Sequence, residues 1–109
     1  MGHVWSEQVD AILAAGRNLE SIGVRNWSLT REDALLALEQ LRDMGVAVLG
    51  GDVYAMSGNT VAPSYDNWHC DQDAEESAAE FLSRSIDSAR NYIAGYGSAE
   101  AMFALVPLI

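Results

Sequence analysis

Nine consecutive residues, Tyr65 to Asp73 in the order YDNWHCDQD, gather most of the side chains in this sequence that could do chemistry. Among them are Cys70, the one cysteine, and His69, one of two histidines, with Asp66, Asp71 and Asp73 close by. A zinc site could nominally draw on His69, Cys70, Asp71 and Asp73. Adjacent residues do not easily point at one ion, however, and the CxxC and HxxxH spacings that aim ligands at a common point are absent. Thiol catalysis would need a base within hydrogen-bond reach of Cys70. His69 precedes it directly, and successive side chains of an extended segment project to opposite sides, which leaves only the distant His3. Asp52 and Asp66 could serve as a hydrolase-like acid and base, but nothing in the sequence sets their acidities apart. An Asp after Gly50 and Gly51 more commonly bonds turn amides, and GGD is no phosphate loop because no GK[ST] follows. The expectation is therefore no catalytic residue, no cofactor and no metal; a small metal- or thiol-dependent enzyme using His69 and Cys70 is the alternative.

The same stretch reads differently as a surface. Six acids and no base lie between Asp66 and Glu80, and the whole chain sets sixteen Asp and Glu against six Arg for a net charge of −10. Such a surface repels nucleic acid and anionic lipid and attracts basic proteins or cations, while also serving solubility. Tyr65 and Trp68 with Asp66, Asp71, Asp73, Glu75, Glu76 and Glu80 form a candidate protein-binding patch, with Asp52 and Tyr54 near its edge. The rings supply desolvated contact area and the carboxylates steer a basic partner. The competing reading is structural: Glu75 and Glu76 serve a helix N-terminus, and Trp68 belongs to the core.

These residues need a scaffold, and 109 residues suffice for one domain, 1–109, with one core. Trp5, Val9, Ile12 and Leu13 fall at helical spacing, which predicts a helix over about Val4 to Ala15, fraying towards Ile22. VRNWSL is ambiguous between loop and short strand. Thr30 and Asp33 resemble a capping box with the shorter acid, Leu35, Leu38 and Leu41 make the buried stripe, and Gly45 ends this second helix. Short apolar runs follow, VAVL, DVYAM and TVAPSY, separated by turn chemistry at Gly50–Gly51 and Ser57–Asn59. Gly50 and Gly51 could instead form a bulge in one longer strand. Pro63 makes the third run short or an edge strand. Asp73 and Glu76 repeat the capping pattern and open a long helix over about Ala74 to Ala94, with Glu80–Arg84 and Asp87–Arg90 spaced to pair on its outer side. MFALVPLI is a buried final strand, too short for a membrane span of ~20 residues. The order predicts an α+β domain: three helices on a small, mostly antiparallel sheet of three to four strands. With no signal-peptide pattern in MGHVWSEQVD and no internal disulfide open to a single Cys, a cytoplasmic location is expected.

The segment MGVAVLGGDVYAMSGNTVAPSYDNWHC, with IGVRNWSLTREDALLALEQL upstream, resembles the immunity proteins of bacterial polymorphic toxin systems, most closely the immunity protein 40 family. The resemblance covers Ile22 to Cys70 and rests on GGDVY followed by YDNW; His69 departs from the aromatic expected after the Trp. It implies a non-enzymatic protein that binds the toxic C-terminal domain of a secreted effector, by steric and electrostatic blocking, and so protects the producing cell. A basic, nuclease-like toxin would suit the acidic surface. Neither nucleic acid nor membrane is an expected partner. A structural subunit or homodimer acting through the C-terminal strand is a further alternative.

Overall fold

The computed structural model describes residues 2–109. Helix α1, Glu7–Leu13, starts at Ser6, whose Oγ accepts from the Val9 amide at 3.2 Å. It is shorter than the apolar spacing predicts because Val4 and Trp5 donate their amides to the Asp10 carboxylate instead of entering the helix. Beyond it the chain does not fray as helix. Strand β1, Arg17–Asn18, is followed by a 3-10 turn over Glu20–Ile22 that Gly23 closes at φ 80°. The ambiguous VRNWSL segment supplies strand β2, Trp27–Thr30.

Helix α2, Arg31–Met44, has the boundaries its sequence signals: Thr30 Oγ accepts from the Asp33 amide at 3.1 Å, and Gly45 ends it at φ 75°. Ala34, Ala37, Leu38 and Leu41 face the core, with Leu35 half-buried. The expected run of separate short strands is replaced by two long ones, β3 (Val48–Ser57) and β4 (Thr60–His69), joined at the Ser57–Asn59 turn with Gly58 at φ 62°. Gly50 and Gly51 lie within β3 rather than in a turn and pair in regular register; the β3–β5 irregularity falls just before them, at Leu49 between Val48 and Gly50. Helix α3, Ala78–Gly95, and strand β5, Ala101–Pro107, complete the chain.

The sheet has five strands in the order β1-β2-β5-β3-β4, all pairings antiparallel, rather than the three to four expected. The additional strand is β1, two residues long and defined only by its pairing with Ser28 and Trp27, so no local periodicity announces it. The C-terminal strand β5 sits between β2 and β3, which accounts for its unbroken apolar character: Ala101, Phe103, Ala104, Leu105 and Pro107 are buried, and Met102 and Val106 are partly so. Helices α2 and α3 cover one face through Leu38, Leu41, Ile86, Ala89 and Ile93 against Val48, Val53, Phe103 and Leu105. Alternation along β3 sends Tyr54 and Met56 to the other face, where Leu19 and Val24 from the β1–β2 connection close a smaller cluster with Val61 and Ala104. Pro63 lies on β4, the edge strand, where a missing amide does no harm. No helix among the described residues is long and apolar enough to cross a membrane.

Candidate functional site

Strand β4 and helix α3 lie side by side and run in opposite directions. Arg84 near the start of α3 contacts Cys70 just past the end of β4, Tyr92 stacks on Trp68 at 4.7 Å, and the Tyr96 hydroxyl donates to Asp66 at 2.5 Å. The YDNWHCDQD stretch therefore leaves the sheet edge along α3 and turns back at the helix start. Its alternation separates the side chains that composition grouped together. Trp68 points inward and is 9 % exposed; His69 is exposed, and the Cys70 thiol is buried again at 6 %.

Trp68 has room because the opposite position on β3 is a glycine. Gly50, Gly51 and Asp52 pair with His69, Trp68 and Asn67, and a Cβ at Gly51 would fall 2.3 Å from Trp68 Cη2. Gly50 is equally constrained, since its Cβ would meet the Trp68 carbonyl oxygen at 2.2 Å. The two halves GGDVY and YDNW are thus one feature: strand partners whose glycines seat the indole.

Two residues more on β4 than on β3 separate the pairs Asp52–Asn67 and Tyr54–Pro63, so β4 bulges at Ser64–Asp66. Ser64 Oγ donates to the Val53 carbonyl at 2.9 Å and accepts from the Asp66 amide at 3.2 Å. At the apex, Tyr65 takes φ 70° and is 85 % exposed. A non-glycine residue in the left-handed region costs on the order of 1–3 kcal/mol, so the bulge holds Tyr65 there against its local preference.

The loop after β4 is organised by an arginine that sequence reading had assigned elsewhere. Arg84 donates from Nε and Nη2 to the two Glu76 carboxylate oxygens at 2.7 Å each, from Nη2 to the Asp71 carbonyl at 2.6 Å, and from Nη1 to Cys70 Sγ at 3.2 Å. Glu76 also accepts from the Asp73 amide at 3.0 Å. The Arg84 guanidinium, and next the Asp73 amide, hold the Glu76 carboxyl down at about 2, and Glu76 in turn raises Arg84. The expected Glu80–Arg84 pair is absent because Glu80 closes a capping box on Ser77, accepting from its amide at 2.8 Å while the Glu80 amide donates to Ser77 Oγ at 3.1 Å. Those same Ser77 bonds lower the Glu80 pKa. Helix α3 consequently starts at Ala78, not Ala74: the Asp73–Glu76 pattern is a turn whose acid Arg84 captures. The Asp87–Arg90 pair does form, at 3.2 Å, and Asp87 also takes Arg42 at 2.9 Å.

Of the residues read as a binding patch, Tyr65, Asp66, Asp71, Asp73, Glu75 and Glu80 are exposed along one route from the β4 edge to the α3 start, and Asp52 is exposed beside Asn67. Trp68 and Tyr54 are buried, Tyr54 at 5 % on the second sheet face, where burial and then the Asp52 charge raise its phenol pKa. Glu76 is engaged by Arg84 and only 11 % exposed. Asp52 and Asp66 project to opposite faces of the sheet, and among the described residues no three of His, Cys, Asp and Glu group as a metal would require. His69, Cys70, Asp71 and Asp73 diverge, with Cys70 packed on Ala47 and Phe81. Sequence reading missed the supports of the site, Arg84, Ser64, Tyr92 and Tyr96. The i, i+4 spacing of Tyr92 and Tyr96 was a signal for an aromatic stripe, but nothing local tied it to Trp68 and Asp66.

In comparison with known proteins, the family model of immunity protein 40 aligns with residues 18–107. No curated protein and no solved structure matched.

Proposed function

The chain belongs to the immunity protein 40 family, and from that premise we propose that it binds one cognate toxin domain and blocks it by occupying its surface, inside the cell that makes both. The family match over residues 18–107 carries this reading. Asp52, on the opposite face of the sheet, lies outside the contacting surface, which is the exposed strip Asp66, Asp71, Asp73, Glu75 and Glu80 with Tyr65 at one end. Its charge supports a basic partner: on a chain of net charge −10 these carboxylates have few internal cations to pair with, and they would accept Arg and Lys that a nuclease-like toxin aims at phosphates. Trp68, Tyr54 and Glu76 act beneath the surface, seating the strand and the loop.

The test is co-expression with the C-terminal domain encoded immediately upstream. A one-to-one complex and restored growth are expected. Reversing Asp71, Asp73 and Glu75 together to Arg should weaken the complex and flatten its salt dependence; unchanged affinity and salt slope would place the contact elsewhere.

A further inference from the structure

Among the described residues Tyr65 is the most exposed large hydrophobic side chain, and it belongs to none of the three hydrophobic clusters. It is also the sole non-glycine residue there with positive φ, so neither core packing nor backbone preference explains a tyrosine at this position. Its neighbours are nonetheless fixed. Ser64 ties the bulge to Val53, and the Asp66 carboxylate is held by the Tyr96 hydroxyl, whose ring meets Phe103 edge-on at 5.7 Å. The backbone that carries this outward ring is therefore held in place before any partner arrives, and tyrosine is enriched among the few residues that dominate interfaces.

Building on the toxin-binding reading, we infer that Tyr65 is the anchor of that interface: its ring enters a recess on the toxin domain whose border is basic and pairs with Asp66. Charge complementarity selects this occupant. Asp66 adjoins the ring in the chain, and one Asp66 oxygen suffices for Tyr96, which leaves the other for a cation of the partner. Strand addition is not the mode of contact, because Pro63 and the bulge interrupt the β4 edge within three residues.

The experiment measures binding of the upstream-encoded toxin domain to wild-type, Tyr65→Gly, Tyr65→Phe and Asp66→Asn proteins, alongside the melting temperature of each free protein. Tyr65→Gly should weaken binding by at least about 10-fold while leaving Tm unchanged or higher, the pattern of a residue held for contact and not for folding. Tyr65→Phe, which keeps the ring, should retain most of the affinity. Asp66→Asn, still able to accept from Tyr96, should reduce the salt dependence of binding. Undiminished binding by Tyr65→Gly, or a Tm loss that parallels its binding loss, overturns the anchor; an unchanged salt slope for Asp66→Asn overturns its basic border. Failure of the wild-type protein to bind the domain overturns the toxin-binding reading itself, a result distinct from either.

Discussion

Gly51 and Trp68 face each other across β3 and β4, and the indole occupies the space that any side chain at position 51 would need. A Cβ there would meet Trp68 Cη2 at 2.3 Å on one side and the Ala104 carbonyl oxygen at 2.4 Å on the other, so neither a rotamer change nor a small strand shift relieves both. Gly51→Ala should therefore destabilise the fold by roughly 1–3 kcal/mol and disturb the Trp68 near-UV signal. Equal stability by chemical denaturation would show that the strand pair gives way more easily than this geometry allows.

The same pair marks how far the sequence could be read. Both halves of the motif were visible, GGDVY and YDNW, yet their mutual dependence was not, because it requires the hairpin register and that register contains a bulge of two residues at Ser64–Asp66. Alternation alone sets Tyr65 and Trp68, three residues apart, on opposite faces, and the two extra residues of the bulge do not change that; both rings were assigned to one surface because they were grouped by composition. Helix α2 was legible to its end residues since Thr30, Asp33 and Gly45 are local signals with no rival. The α3 start was misplaced by one turn for the opposite reason: two acid-closed turns stand four residues apart, and the choice between them depends on Arg84 reaching back to Glu76. Strand β1 was invisible because its two residues are a strand only by virtue of β2.

Arg31, the first residue of α2, reaches the far end of α3. Its Nη1 donates to the Ile93 carbonyl, its Nη2 to the Ser98 carbonyl at 2.7 Å, and the guanidinium lies 5.7 Å from the Phe103 ring centre. A cation on the last carbonyls of a helix also complements its dipole. Arg31→Ala should cost about 1–3 kcal/mol and release the turn between α3 and β5, seen as faster amide exchange at residues 96–99. Lys in place of Arg offers one charged centre instead of a fork and should recover only part of the loss.

Glu76 makes stability depend on pH in a predictable direction. Its folded-state pKa, about 2, lies below its ordinary 4.5, so the unfolded chain takes up its proton first as acid is added. The stabilisation from the Arg84 pair is complete above 4.5 and is lost as pH falls towards about 2. In denaturant titrations, the stability gap between wild type and Glu76→Gln should be widest near neutral pH and should close across that window. A gap that stayed constant down to about pH 2 would mean that Glu76 contributes through packing and not through its charge.

Cys70 supplies a direct readout of the same loop. The thiol is buried against Ala47 and Phe81, and Arg84 covers it from the solvent side while holding Glu76 and the Asp71 carbonyl. Reaction of a thiol reagent with the native protein should consequently be slow and limited by opening of residues 70–77. Arg84→Ala removes every one of these contacts at once, so labelling should become much faster and a protease should cut within 71–76, while the far-UV spectrum changes little because the Ser77–Glu80 capping box still starts α3. If labelling of Arg84→Ala stayed as slow as wild type, the core contacts of Cys70 alone would be sufficient to hold the loop, and Arg84 would serve only to set the charge of the surface that the carboxylates present.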